Sequence, residues 1–241
     1  MIFGAEFTVS KGNLLDAGAP VISRWVPSHG LEAVFSWKNL LLGVMVLFLA
    51  RTQAAIYMLG NVAHDNEFVR QQRKRVLFSG AVFVVLFLAF AVVFLMSPGY
   101  AVTDCGYVRI VPFKYLDNYM EMWWAALTLV AGVVMVLGGI LGTLFQKKFR
   151  HGIWYTGIGT VLVVMSIFWV LGYNGTAYYP SLIDPSSSLT IRNSSSSEFT
   201  LTVMSWVSVV IPAVVAYIAY VWFKMDITPI TPQEVERDHA Y

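Results

Sequence analysis

Five apolar stretches, at residues 40–59, 76–96, 123–145, 153–171 and 201–223, contain no histidine, aspartate or glutamate. Each runs about 20 residues, and at about 1.5 Å of rise per residue such a helix matches a hydrocarbon core of about 30 Å. In lipid every backbone polar group must be satisfied internally, which favours helices over open strands. The expected fold class is therefore an all-α integral membrane protein with five transmembrane helices in a bundle. Composition agrees: 12% of residues are charged, about half the share usual in soluble domains.

The residue types missing from the spans constrain the chemistry. Membrane-embedded haem ligands, proton relays and ion sites are usually built from histidines and carboxylates. All 14 acidic residues lie outside the five stretches, as do His29, His64, His151 and His239. No catalytic residue and no metal ligand is expected from this chain. The single cysteine, Cys105, excludes an internal disulfide and a thiolate cluster. A net charge of +2, with no dense basic run interleaved with aromatics, excludes a nucleic-acid partner.

Orientation follows from the loops. Arg70, Arg73, Lys74 and Arg75 lie between the first two spans, and Lys147, Lys148 and Arg150 between the third and fourth. The positive-inside rule puts these links and the carboxyl tail in the cytoplasm, with the amino terminus outside. Three regions are expected: 1–36, an extracytoplasmic leader or the remnant of a preceding helix; 37–223, the bundle, with an extracytoplasmic loop at 172–199; and 224–241, a cytoplasmic tail. Met1 opens no signal-peptide pattern. The leader is either carried across with the first span or continues a larger membrane protein.

Within the loop, Gly and Pro punctuate the start and hydroxyl residues fill the end. Leu189, Ile191 and Tyr179 predict that it folds onto the helix ends. Arg192 and Asn193 belong to this loop structure, and Ser195 with Glu198 has capping-box spacing just before the fifth span. Thr231-Pro-Gln-Glu234 reads as a short helix start in the tail. Gly138-x-x-x-Gly142 offers a small-residue face for helix packing, inside this chain or against another subunit. Pro212 is expected to kink the fifth span.

Arg51 and Gln53 are the strongly polar side chains deep in a span. An arginine at a helix centre costs about 2.5–3.5 kcal/mol on insertion scales, so it needs protein, water, an anion or a carbonyl. Arg51 and Gln53 are accordingly candidates for contact with a quinone, a lipid or a partner subunit; Arg51 facing a watery cavity is the alternative. The loop histidines read as solvated, and neither a nucleophile elbow nor a Gly-rich phosphate cradle occurs.

The segment Ser188-Leu-Thr-Ile-Arg-Asn-Ser-Ser-Ser-Ser-Glu-Phe-Thr-Leu-Thr-Val-Met resembles the stretch before the final helix of subunit II of cytochrome bd-type quinol oxidases. Ile227-Thr-Pro-Ile-Thr-Pro-Gln-Glu-Val-Glu and His239-Ala-Tyr resemble that subunit's end. Thr52-Gln-Ala-Ala-Ile-Tyr and the early Gly12-Asn-Leu-Leu fit the same family in the right order. The resemblance implies a haem-free subunit beside a larger subunit that holds the b- and d-type haems and the quinol site. Together such subunits oxidise quinol, reduce oxygen to water and generate a proton-motive force. It further implies a multi-pass place in a bacterial or archaeal cytoplasmic membrane, membrane lipids and small single-span subunits as neighbours, and a structural quinone or lipid as the one bound cofactor.

Family members carry a further amino-terminal set of helices with the acidic residues of proton delivery. The chain is thus expected to be the carboxyl-terminal half of the subunit, either a split subunit whose first half is a separate polypeptide or a truncated product, and no proton-path residue is carried over. Arg51 is not a residue the family pattern calls for. Two readings from other classes stand beside this one: half of a secondary transporter, and a non-catalytic membrane scaffold or assembly protein.

Overall fold

A computed structural model describes residues 3–10, 22–61, 66–102, 108–146 and 149–225. Five of its helices are long and apolar enough to cross a membrane. They are α2 (Trp37–Asn61), α3 (Asn66–Met96), α5 (Trp123–Phe145), α6 (Gly152–Gly172) and α8 (Glu198–Met225). Between them come three short helices: α1 (Glu32–Phe35), α4 (Lys114–Glu121) and α7 (Ile191–Ser194). The third expected span coincides with its helix. The second begins ten residues late, because Glu67, Arg70, Gln71 and Lys74 are good helix formers that extend α3 past its apolar part. Hydropathy locates a lipid crossing; it does not locate a helix end.

The helices pair as two antiparallel hairpins, α2 with α3 and α5 with α6. Close approach is greatest in the second. A Cβ on Gly159 would lie 2.7 Å from the Gly132 carbonyl oxygen, and one on Gly139 would lie 2.9 Å from that of Gly152. Only a residue without a side chain lets two backbones meet like this. These glycines recur at i and i+7 on one face of each helix. Gly138, one residue off that face, has open space around it, while Gly142 faces the Phe149 ring. Within the chain, the closest backbone packing of α5 runs through Gly132 and Gly139.

Apolar contacts fill the space where the hairpins meet. Ile56, Val76, Phe83, Phe90, Val136, Ile140 and Val170 are buried there. At one end of the bundle, irregular chain folds into a cap. Strand β1 (Phe7–Ser10) pairs antiparallel with β2 (Ile22–Trp25), Phe7 opposite Trp25, and β3 (Gly99–Val102) pairs with β4 (Val108–Val111). The 176–190 loop stitches onto both: Ala5 bridges to Ser181, Ala101 to Thr176, and Tyr179 to Leu189 across the loop itself. The expectation that this loop folds back is met by Tyr179 and Leu189, and Ile191, though largely exposed, lies against Gly172 at the end of α6.

Helix α8 differs from the other four: it buries none of its residues. Its Trp222 ring meets Tyr57 of α2 with centroids 6.4 Å apart. The helix runs on through Pro212. At its start, Ser197 takes the capping role, its Oγ accepting from the Thr200 amide at 3.4 Å. Ser195 does not cap; its hydroxyl turns back and donates to the Ile191 carbonyl of α7. The expected box is thus displaced by two residues. The side chains of Arg192 and Asn193, and the tail helix expected at 231–234, lie outside the described residues, as do His64, Cys105, Lys147 and Lys148.

Candidate functional site: a polar seam and an apolar cavity

Arg51 and Gln53 stand two residues apart on α2, about 200° around a helix of 3.6 residues per turn. The structure separates them accordingly. Gln53 turns inward and its Nε2 donates to Thr160 Oγ1 of α6 at 3.0 Å. Thr160 in turn donates to the Thr156 carbonyl at 2.7 Å, and Thr156 to the Gly152 carbonyl at 3.0 Å. Thr52, fully buried, donates back to the Phe48 carbonyl at 2.7 Å. Each of these hydroxyls donates within its own helix, while Gln53–Thr160 crosses from α2 to α6. Bonds of this kind between membrane helices are worth about 0.6 kcal/mol on average.

Arg51 turns the other way and is exposed on the outer face of α2. Its guanidinium lies 5.8 Å from the Phe48 ring centroid, a cation–π distance one turn toward the Trp37 end.

Between the hairpins lies a cavity of about 450 Å³, within the usual range for ligand sites. Met45, Leu49, Phe83, Val136, Val163 and Ile167 supply its apolar walls, and Tyr178 and Tyr179 approach from the cap. Thr160 is its polar edge, so the Gln53–Thr160 bond sits at the cavity wall. Such a lining suits a hydrocarbon chain with one hydrogen-bonding group near Thr160.

Where the cap joins the bundle, a second polar cluster forms. Asn118 of α4, fully buried, donates from Nδ2 to the Val170 carbonyl and to Thr176 Oγ1, both at 3.0 Å. Ser166 donates to the Ala125 carbonyl at 2.7 Å and meets the Tyr119 hydroxyl at 3.2 Å. Burial pushes the Tyr115 phenol up to about 12, with Tyr100 adding to it. Burial also raises Tyr119, against a smaller pull from Ser166. In the cap itself, the Ser28 hydroxyl holds the Glu32 carboxyl below its ordinary value. Nothing in the sequence marked Asn118 as structural, because its depth is set by how α4 folds against α6. The spacing Gly152, Thr156, Thr160 did carry a signal: small residues at i, i+4 and i+8 form one helix face.

His29 and His151 are exposed, at opposite ends of the bundle, and the cavity wall offers no imidazole or thiolate. Among the described residues no three His, Cys, Asp or Glu side chains come together to hold a metal ion.

Residues 2–225 match the family described as cytochrome bd terminal oxidase subunit II. The match spans most of the chain, including the cap, both hairpins and α8. The chain belongs to that family. It is a multi-pass membrane protein of a respiratory terminal oxidase. No curated protein matches it.

Proposed function

We propose that this subunit is the haem-free partner of a larger, haem-bearing chain in a quinol:oxygen oxidoreductase. The observation that carries the reading is the family match over residues 2–225, joined to five spans whose apolar parts hold no histidine or carboxylate. On this reading electrons pass from quinol to oxygen within the partner, and protons for water formation come from the cytoplasm. The present chain supplies a packed membrane surface and no reacting group. The end of the bundle with Arg70, Arg73, Lys74, Arg75 and Arg150 faces the cytoplasm, and the stranded cap faces outward.

The cavity between the hairpins is the place we propose for a structural quinone tail or lipid chain. Its apolar walls and the polar edge at Thr160 support that assignment, with Gln53 acting through Thr160. The same lining disfavours a transporter site, which needs broken helices and several polar groups near the midplane.

Purification of the complex from native membranes tests the reading. A larger chain that co-purifies with b- and d-type haem absorbance is the expected result; a haem-free preparation without a partner would overturn it. Solvent extraction of the same preparation should release a stoichiometric quinone or lipid, and the cavity-filling variant Val163→Phe should lower that yield.

A further inference from the structure

The cavity between the hairpins has a length, a bore and a floor that together decide what fits it. Its lining on α6 runs from Thr160 to Leu171, about 16 Å at 1.5 Å of rise per residue. Helix α6 has 21 residues and is about 31 Å long, and Thr160 stands about 12 Å along it, near its middle. Leu171 is in its last turn, where Tyr178 and Tyr179 approach from the cap. The cavity thus spans one leaflet, about half of a hydrocarbon core of about 30 Å.

Its bore excludes a protein segment. A helix with side chains is at least about 10 Å across, and about 16 Å of it takes roughly 1,250 Å³. The cavity holds about 450 Å³, so no helix of a neighbouring chain fills it. Val46 of α2, Leu88 of α3 and Phe168 of α6 line it and are 50%, 58% and 65% exposed. The space therefore opens sideways onto the surface of the bundle.

The floor is already satisfied. Thr160 Oγ1 donates to the Thr156 carbonyl at 2.7 Å and accepts from Gln53 at 3.0 Å. The hydrogen-bonding group that Thr160 calls for is Gln53 itself, and its hydroxyl has no proton left for a ring carbonyl. A quinone ring lodged there would exchange its bonds to water for none, whereas a methyl chain end has nothing to lose. The other end is polar and wet: the Tyr178 hydroxyl meets Ser194 Oγ at 2.8 Å, both exposed.

We infer that the cavity holds one unbranched acyl chain of a phospholipid from the cap-side leaflet, with its methyl end at Thr160 and its headgroup beside Tyr178. The inference rests on the reading above that the cavity takes a hydrocarbon chain, and it chooses between the two sources named there. A polyprenyl quinone tail carries methyl branches along its length and, at the length respiratory quinones use, overruns a slot one leaflet deep.

Native mass spectrometry of the complex, purified from native membranes in mild detergent, tests this. The wild-type complex should carry a phospholipid that survives detergent removal, one for each copy of this chain. Val163→Phe from α6 and Val133→Phe from α5 each put a ring into the slot. Each should cut that adduct about tenfold or more, since a ring and a chain cannot share close-packed space, and either variant alone decides. The pair Gln53→Leu/Thr160→Val removes both polar partners together, stranding neither, and should leave the phospholipid bound. Its loss in that pair would put the polar part at Thr160 and overturn the orientation. A quinone in place of the phospholipid, removed by the same Phe variants, overturns the inference while keeping a chain site in the cavity. No adduct, a detergent monomer only, or an adduct that ignores both Phe variants overturns the inference and the cavity assignment together. The haem spectrum of the same preparation reports separately on the haem-bearing partner.

Discussion

Gly138 and Gly139 are neighbours in sequence with opposite roles, and the difference is a matter of direction. A side chain at Gly139 would press on Thr156 Cγ2 at 2.7 Å and on the Gly152 carbonyl at 2.9 Å; at Gly138 it would enter open space. Backbone cannot give way as a flexible side chain does. Gly139→Val should therefore cost roughly 3 kcal/mol or more, whereas Gly138→Val should stay within about 0.5 kcal/mol. Thermal unfolding of the detergent-solubilised subunit separates the two, and equal midpoints would refute the packing described. The same argument of direction splits Arg51 from Gln53. Two residues along a helix reverse the facing of a side chain, so one reaches α6 and the other leaves the bundle.

At the scale of elements, α4 shows how a short helix is held without a long apolar face. Tyr115, Asn118 and Tyr119 turn inward at i, i+3 and i+4, and the stacked Phe94 and Tyr115 rings, 4.7 Å apart, tie it to α3. The price is a buried phenol. In the unfolded chain a tyrosine titrates near 10, while in the fold Tyr115 is pushed up to about 12. Below the lower value both states keep the proton, so the group leaves stability unchanged. Between the two values the unfolded chain gives up its proton first, so stability falls as pH rises through that window. Tyr115→Phe should flatten part of this alkaline loss in unfolding measured against pH. Tyr119 and Tyr179, raised by burial as well, leave a residual slope. An alkaline limb unchanged by the substitution would place Tyr115 in contact with water.

On the scale of the whole molecule, stability is distributed unevenly. The α5–α6 hairpin packs backbone against backbone, the α2–α3 hairpin packs through larger side chains such as Phe83 and Phe90, and α8 buries nothing within this chain. Opening free energies should follow that order. Hydrogen exchange on the isolated subunit should show the slowest amides around Gly132, Gly139 and Gly159. Helix α8, which buries nothing within this chain, should be the first to lose protection when the detergent is weakened. Uniform protection across all five helices would contradict the gradient.

Hydrophobic length alone determined that five helices cross a membrane, because lipid leaves a backbone of this kind no other way to satisfy its polar groups. The Ser- and Thr-rich segment before α8 and the spacing around Thr52 pointed to the family, and the family match agrees. Which way each residue faces was decided only by the tertiary structure. A membrane-spanning helix is apolar all round, so its sequence carries no amphipathic stripe to tell protein from lipid. Hence spacing did not mark Gly132, Gly139 and Gly159 as the sites of closest backbone approach, the cap of α8 fell on Ser197, and Arg51 parted from Gln53. The stranded cap was equally invisible. Its strands pair locally, β1 with β2 and β3 with β4, but bridges such as Ala5 with Ser181, 176 residues away along the chain, join them to the loop and leave no local pattern to read.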